Sequence, residues 1–209
     1  MTFPRFYPIL DTTFLHPHLL VPAARQILDA GARILQFRHK NSRHNDFFTA
    51  ERFAEVEQIA ALCRAAGAVF IVNDRADVAR LLGAGVHLGQ QDLTPSQARP
   101  IAGPDAVIGF STHNETQFRA AASEPATYLA IGPVFCTNTK ENPDPVVGLE
   151  ELRRLRPLTN RPLVAIGGIT RLNARAVLDS GADSVAVISD LYSGDLSSIA
   201  AEWVALTAS

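Results

Sequence analysis

Short apolar runs alternate with helix-like stretches along the whole chain, and this alternation restricts the fold more than any other feature. The eight runs cover residues 7–10, 34–35, 69–72, 86–88, 106–110, 128–131, 163–166 and 184–188. Runs that are continuously apolar, rather than alternating with polar residues, are typical of strands buried on both faces, as in parallel sheets. Eight strand-helix repeats predict a (β/α)8 barrel, with a doubly wound sheet as the structural alternative.

Glycine marks the entrance to several of these strands. Gly31, Gly67, Gly83 and Gly181 each follow a helix-like stretch and come shortly before an apolar run. Glycine at this position suits a left-handed helix C-cap. The stretch 53–66 carries apolar residues at helical spacing, which indicates an amphipathic helix between two of the strands.

Composition predicts one domain over residues 1–209. A chain of 209 residues with 47% hydrophobic content can bury one sizeable core. The formal net charge of −2 offers no general attraction to nucleic acid or to an anionic membrane. Since no apolar run approaches membrane-spanning length, we expect a soluble, cytoplasmic protein without nucleic-acid or membrane partners. Cys63 and Cys136 form no CxxC pair, so we expect neither a disulfide nor a thiolate metal site.

A basic cluster follows the second apolar run. Gln36, Arg38 and Lys40 alternate along the chain, so their side chains should project from one side of a strand end. The guanidinium fork of Arg38 and the compact ammonium of Lys40 suit a phosphate or diphosphate. The alternative is a solvated basic strand end without a ligand.

Two carboxylates follow the third and fourth runs. Asp74 comes directly after one strand, and Asp92 lies four residues beyond the next. In a barrel, adjacent strands would bring them together around Mg²⁺, which binds through one or two carboxylates and substrate phosphates. The alternatives are that Asp74 caps a helix beginning at Arg75 and that Asp92 closes a turn. Asn73 is suited to contact a polar heterocycle or local backbone groups.

Ser111 and His113 follow the fifth run and raise the question of a serine nucleophile. The neighbouring sequence lacks the G-x-S-x-G motif, which places a nucleophilic serine on a sharp, strained turn. We therefore expect Ser111 to donate a hydrogen bond instead. The six histidines show no spacing typical of a zinc site.

Polar and glycine residues also follow the last three runs. Gly167 and Gly168 follow the seventh run, and Ile188 and Ser189 follow the eighth, where barrels often bind phosphate through backbone amides. The alternative for the glycine pair is a plain turn. After the sixth run, the irregular stretch 136–147 is predicted to be a functional loop that offers the hydroxyls of Thr137 and Thr139 and the charge of Lys140.

Taken together, these motifs resemble those of the thiamine phosphate synthase family over nearly the whole chain. Gln36-Phe37-Arg38-His39-Lys40 resembles the family's QxRxK segment, although an acidic residue is common where His39 stands. The other similar segments, in the family's order, are Asn73-Asp74-Arg75, His87-Leu88-Gly89-Gln90-Gln91-Asp92, Ser111-Thr112-His113, Gly132-Pro133-Val134-Phe135, Thr137-Asn138-Thr139-Lys140, Ala165-Ile166-Gly167-Gly168-Ile169 and Val187-Ile188-Ser189.

The resemblance implies a (β/α)8 transferase that joins hydroxymethylpyrimidine diphosphate to a thiazole phosphate and releases diphosphate. The implied contacts to the pyrimidine diphosphate are Gln36, Arg38, Lys40, Asn73, Ser111 and Lys140. Among these, Arg38, Lys40 and Lys140 are implied to be catalytic. The implied contacts to the thiazole phosphate are Thr137, Thr139, Gly168, Ile188 and Ser189. One Mg²⁺ is implied between Asp74 and Asp92.

The implied mechanism is dissociative and needs no protein nucleophile. Two other functions stay open at this point: a thiazole tautomerase of the same fold, which needs only half of the pocket, and a barrel that binds phosphate ligands without catalysis. The sequence does not decide the oligomeric state, and a homo-oligomer is compatible with it.

Overall fold

Eight parallel strands close into a barrel in the order in which they occur along the chain. The computed structural model describes residues 3–39, 49–137 and 144–208. The strands are β1 Phe6–Asp11, β2 Ile34–Arg38, β3 Val69–Asn73, β4 Gly85–Leu88, β5 Ile108–Thr112, β6 Tyr128–Ile131, β7 Leu163–Ile166 and β8 Ser184–Val187. Each strand pairs with the next, and β8 pairs with β1 through the register Phe6 to Val185. The predicted (β/α)8 barrel is confirmed, and the open, doubly wound sheet is wrong.

Helices connect the strands around the outside of the barrel. They are α1 Leu20–Asp29, α2 Ala50–Ala65, α3 Ala76–Leu82, α4 Pro95–Ala102, α5 Glu115–Ala121, α6 Gly148–Leu155, α7 Ala174–Asp179 and α8 Leu196–Thr207. Short 3₁₀ segments are Pro17–Leu19, Arg156–Leu158 and Ser189–Tyr192. Within the described ranges, no helix combines the length and apolar character that crossing a membrane requires.

The helix ends include the glycine C-cap expected at Gly83 and a capping box at the start of α4 that was not predicted. Gly83 is the C-cap of α3 with φ 63°, a left-handed conformation that glycine adopts without steric cost. At the start of α4, the Thr94 hydroxyl accepts from the Gln97 N–H, and the Gln97 side chain accepts from the Thr94 N–H. This capping box satisfies backbone donors that the helix itself leaves unpaired.

The buried residues form two layers, one between the helices and the outer face of the barrel and one inside the barrel. Trp203 of α8 belongs to the outer layer, where its ring stacks on Phe6 with centroids 5.6 Å apart. Cys63 is also buried there, and burial raises the pKa of its thiol to about 12. The inner layer consists of Tyr7, Ile9, Ile34, Ile71, Tyr128, Ala130, Val164 and Ala186.

Gly109 makes room for Tyr128, one of the two tyrosines in the inner layer. In the strand register, Gly109 of β5 lies between His87 of β4 and Tyr128 of β6. A Cβ atom at Gly109 would lie 2.1 Å from Cζ of Tyr128. The absence of a side chain at this position therefore lets the Tyr128 ring lie across β5 and reach β4.

We predict that Gly109→Ala lowers the free energy of unfolding by about 1–3 kcal/mol, since overpacking forces a buried ring and backbone to shift. Chemical denaturation followed by circular dichroism measures this change. The control is Gly194→Ala, because the nearest atom to its new Cβ would be Cδ1 of Ile199 at 3.3 Å, the end of a flexible side chain. We expect the control to stay within about 0.5 kcal/mol of wild type. Equal effects of the two substitutions would contradict the role given to Gly109.

Candidate active site

One cavity of about 630 Å³ opens at the carboxyl ends of the strands. Its lining includes ten of the residues singled out from the sequence: Gln36, Arg38, Asn73, Asp74, Asp92, Ser111, Thr137, Gly168, Ile188 and Ser189. The remaining three, Lys40, Thr139 and Lys140, lie outside the described residues. All the described candidates therefore meet at one cavity, although they come from seven different strands and the loops that follow them.

A buried carboxylate holds Arg38 at the cavity wall. Nη1 of Arg38 donates to Oδ2 of Asp11, its register partner on β1. The other oxygen of Asp11 accepts from the backbone N–H and the hydroxyl of Thr13, at 2.8 and 2.7 Å. Asp11 is fully buried, whereas Arg38 retains 13% exposure. The pair thus fixes the guanidinium while leaving part of it accessible to an anion in the cavity.

His39 occupies the other side of the same strand end. Its Nδ1 lies 2.9 Å from the hydroxyl of Thr12, and its ring stacks near Phe37. Phe37 belongs to the outer layer of buried residues, whereas Gln36 and Arg38 line the cavity. The alternation expected for this segment is therefore present over its described residues.

Asp74 has an unusual backbone conformation. Its φ is 64°, and it is the one non-glycine residue with positive φ among those described. Such a conformation costs on the order of 1 kcal/mol for a residue with a side chain. The Asp74 N–H donates to the His87 carbonyl at 2.8 Å, which anchors the strained residue to β4. Helix α3 has Arg75 as its N-cap, so Asp74 lies one residue before the cap position.

Asp92 closes a tight turn after β4 and still reaches the cavity. Its Oδ2 accepts from the Gly89 N–H at 2.7 Å, and its own N–H donates to the Gly89 carbonyl at 3.2 Å. The turn expected for Asp92 is therefore present. One carboxylate oxygen serves this turn, which leaves Oδ1 as the atom best suited to a cation or a ligand.

Ser111 is paired with a different histidine from the one its sequence neighbourhood suggests. Its hydroxyl lies 2.8 Å from Nε2 of His87 on the adjacent strand. His113 instead lies across the ends of β5 and β6, with Nδ1 donating to the Gly132 carbonyl at 2.6 Å and 3.5 Å from Oδ2 of Asp144. The Ser111 and His113 pair considered from the sequence is thus not formed.

The glycine pair after β7 needs glycine both for its backbone conformation and for its close packing. Gly167 and Gly168 both have positive φ, at 98° and 64°. A Cβ atom at Gly168 would lie 2.5 Å from the Cys136 carbonyl oxygen. Asn173 stabilises the loop by donating to the Gly168 carbonyl at 3.0 Å. The loop after β7 is therefore held close to the loop after β6, with its backbone on the cavity wall.

The carboxylates that line the cavity fit a magnesium ion that also binds a substrate phosphate. Over residues 3–39, 49–137 and 144–208, no group of three or more histidine, cysteine or acidic side chains is arranged to hold a metal ion. Two carboxylates, Asp74 and Asp92, nevertheless line the same cavity. Mg²⁺ commonly binds through one or two carboxylates and takes its other ligands from water and substrate phosphates.

Several residues of the site were not predicted from the sequence. Asp11 ends β1 and faces Arg38 in register, and its opposite charge at a strand end was the available signal. His87 is the one polar residue within β4, which is a signal of the same kind. The contact between Tyr7 and Tyr128, which are 121 positions apart, had no local signal because it depends on closure of the barrel.

Comparison with known proteins identifies the family. The sequence matches the family described as thiamine monophosphate synthase over residues 6–191. The chain belongs to this family. It is 45% identical over 193 residues to a thiamine-phosphate synthase of Koribacter versatilis, covering 90% of this chain and 89% of the relative. A thiamine-phosphate synthase of Laribacter hongkongensis is 46% identical over 160 residues, covering 76% and 73% of the two chains.

A solved structure supports the same assignment. The thiamine phosphate pyrophosphorylase from Pyrococcus furiosus superposes with a TM-score of 0.84 at 34% identity, covering 98% of this chain and 95% of that chain. Sequence and fold thus agree in placing the chain among the thiamine monophosphate synthases, which are transferases of thiamine biosynthesis.

We predict that Asp11→Ala lowers the free energy of unfolding by about 3 kcal/mol, because it leaves the Arg38 charge without its buried partner. Urea denaturation at neutral pH measures the effect. Glu150→Ala is the control, since it breaks an exposed pair with Arg153 and should cost less than about 1 kcal/mol. A loss at Asp11 no larger than the loss at Glu150 would show that the buried pair does not stabilise the cavity wall.

Proposed function

We propose that this protein is a thiamine phosphate synthase, which condenses 4-amino-2-methyl-5-(diphosphooxymethyl)pyrimidine with a thiazole phosphate and releases diphosphate. The observation that carries the proposal is that one cavity is lined by residues proposed for both substrates. Residues proposed for the diphosphate, such as Arg38 and Asn73, line it together with residues proposed for the thiazole phosphate, such as Gly168 and Ser189. Family membership supports the same reaction.

The diphosphate half of the cavity combines cationic and neutral donors. The residues proposed to contact the pyrimidine diphosphate are Gln36, Arg38, Lys40, Asn73, Ser111 and Lys140. The fixed guanidinium of Arg38 suits bidentate hydrogen bonds to phosphate oxygens, and fixing it in advance reduces the reorganisation needed when the leaving group departs.

The lysine content of the chain supports roles for Lys40 and Lys140. These are the only two lysines in the sequence. The rest of its 19 lysine and arginine residues are arginines. Both lysines fall in segments that belong to the proposed site. A lysine ammonium is a compact charge on a flexible stem, which suits a phosphate oxygen that moves away during the reaction.

The thiazole phosphate half consists mainly of backbone and hydroxyl groups. The residues proposed for it are Thr137, Thr139, Gly168, Ile188 and Ser189. Ser189 begins a 3₁₀ segment at the carboxyl end of β8, and Gly168 belongs to the neighbouring loop after β7. In barrels of this type, backbone amides after strands seven and eight commonly bind a phosphate.

Asp74 and Asp92 would hold one Mg²⁺ together with the diphosphate. When bound, the ion supplies charge neutralisation for the leaving diphosphate. The strained backbone of Asp74 agrees with a functional position, because strain of this kind is concentrated at ligand sites.

The proposed substitution begins with departure of diphosphate. Cleavage of the C–O bond leaves a methylene cation that the aminopyrimidine stabilises, and the thiazole nitrogen then attacks it. Arg38, Lys40 and Lys140 stabilise the negative charge that develops on the leaving group, and the cavity aligns the two substrates. This scheme needs no protein nucleophile.

The experiment mixes purified protein with Mg²⁺ and both substrates and quantifies thiamine phosphate and diphosphate. The proposal predicts equal amounts of both products, and none when either substrate is omitted. Isomerisation of the thiazole phosphate in the absence of the pyrimidine would identify a tautomerase instead. Binding of both substrates without product would identify a barrel that is not catalytic.

Lys140→Ala should lower kcat by about 10²–10³, which is the scale for loss of one preorganised stabiliser of transition-state charge. Steady-state kinetics with both substrates saturating measures this change. Lys140→Arg keeps the charge but spreads it over a planar fork, so we expect it to restore only part of the activity. Turnover near wild type in the alanine variant would refute the catalytic role of Lys140.

Asp92→Asn should raise the Mg²⁺ concentration needed for half-maximal activity by about tenfold or more, because a charged ligand becomes a neutral amide. The asparagine can still accept from the Gly89 N–H, so the turn should persist. Asp105→Asn at an exposed position is the control and should leave the magnesium dependence unchanged. Identical magnesium curves for the two variants would remove Asp92 from the proposed metal site.

A further inference from the structure

We propose that Tyr7 and Tyr128 are positioning residues that fix which hydrogen-bonding atoms Gln36 and Ser111 present to the pyrimidine half of the substrate. They do so through a polar relay that crosses the barrel interior and consists of Gln36, Tyr7, Tyr128, His87 and Ser111. The identity of the ligand rests on the proposed function, whereas the direction of the relay rests on the geometry of the barrel.

The relay is continuous, and each of its contacts has hydrogen-bond length. Nε2 of Gln36 lies 3.0 Å from the Tyr7 hydroxyl, which lies 2.7 Å from the Tyr128 hydroxyl. The Tyr128 hydroxyl lies 2.9 Å from Nδ1 of His87, and Nε2 of His87 lies 2.8 Å from the Ser111 hydroxyl. Gln36 and Ser111, at the two ends, both line the cavity.

With the Gln36 amide nitrogen facing Tyr7, hydrogen-bond donation through the first half of the relay has one direction that satisfies every group. The Gln36 amide nitrogen can only donate, so the Tyr7 oxygen accepts from it. The hydrogen of Tyr7 must then go to the Tyr128 oxygen, because an unbonded hydroxyl hydrogen is costly in a fully buried residue. Burial also raises the pKa of both phenols, so both remain protonated at neutral pH.

The second half follows from the first. The Tyr128 oxygen already accepts from Tyr7, so its own hydrogen goes to Nδ1 of His87. A nitrogen that accepts a hydrogen bond carries no proton, and the His87 ring is therefore the neutral tautomer with its hydrogen on Nε2. That N–H donates to the Ser111 oxygen, which leaves the Ser111 hydrogen to be donated into the cavity.

Gly109 provides an independent observation that the barrel is built around this relay. It stands between His87 and Tyr128 in the strand register, and any side chain there would collide with the Tyr128 ring. The ring can join β6 to β4 only because β5 has no side chain at this point. Packing alone would not require the gap, since a smaller apolar residue at position 128 could fill the interior.

The relay gives the two residues at its ends opposite hydrogen-bonding roles toward a ligand. Gln36 uses its Nε2 for Tyr7 and presents Oε1 as an acceptor, and Ser111 presents its O–H as a donor. A ligand that matches offers a donor such as an exocyclic amine to Gln36 and an acceptor such as a ring nitrogen or phosphate oxygen to Ser111. Because His87 donates to Ser111, it cannot take the serine proton, and Ser111 does not act as a nucleophile.

The direct test is the tautomer of His87, measured by ¹H–¹⁵N correlation across its ring in the ¹⁵N-histidine-labelled protein. Comparison with a His87→Gln variant assigns the resonance among the six histidines. The proposal predicts a protonated Nε2 and an unprotonated Nδ1. A proton on Nδ1, alone or together with one on Nε2, would overturn it.

A variant tests the link between the tyrosines and the ligand. Tyr128→Phe keeps the ring over Gly109 but removes the hydroxyl, so His87 should lose its single tautomer. The dissociation constant for the pyrimidine diphosphate, measured by calorimetry, should rise about threefold to tenfold, on the scale of one hydrogen bond. Binding of the thiazole phosphate should not change. Weakened binding of both ligands would mean that Tyr128 has only a structural role and would overturn the proposal.

Tyr192→Phe is the matched control, because Tyr192 donates to the Ile9 carbonyl and has no part in the relay. It should leave the His87 tautomer and the binding of the pyrimidine diphosphate unchanged. The relay and the proposed function fail in different ways. Absence of thiamine phosphate with His87 protonated on Nε2 refutes the reaction alone, whereas product formation with His87 protonated on Nδ1 refutes the relay alone.

Discussion

Closure of the sheet between β8 and β1 is the constraint on which the rest of the structure depends. Phe6, Tyr7 and Pro8 pair in register with Val185, Ala186 and Val187, which turns a row of parallel strands into a ring. Since all the strands run in one direction, their carboxyl ends then share one rim. Residues as far apart in sequence as Arg38 and Ser189 meet at one cavity for this reason.

The interior of the barrel combines apolar packing with a chain of buried polar groups. Aliphatic residues such as Ile34, Ile71 and Val164 fill part of the inner layer, and two tyrosines fill the rest. Among the described residues, no buried side-chain nitrogen or oxygen lacks a hydrogen-bond partner. Because an unpaired polar group inside a protein is costly, such a network tolerates few alternative arrangements and favours a rigid site.

The parts of the structure that depend on local sequence were predictable. Continuous apolar runs indicated the parallel strands, and glycines such as Gly83 indicated the helix ends. Alternation along β2 indicated that Gln36 and Arg38 share a face. Pairings between neighbouring strands, such as Asp11 with Arg38 or His87 with Ser111, depend on strand register, which no single segment encodes. Gly109 had an identifiable reason only once Tyr128 was seen to lie across it.

The most direct test of the central claim is a crystal structure of the protein with Mg²⁺ and a non-reactive analogue of the pyrimidine diphosphate. The account predicts the diphosphate at the carboxyl ends of the strands, hydrogen-bonded to Arg38, with the metal ion held by Asp74, Asp92 or both. A ligand bound at the opposite end of the barrel, or a metal ion distant from both carboxylates, would contradict it.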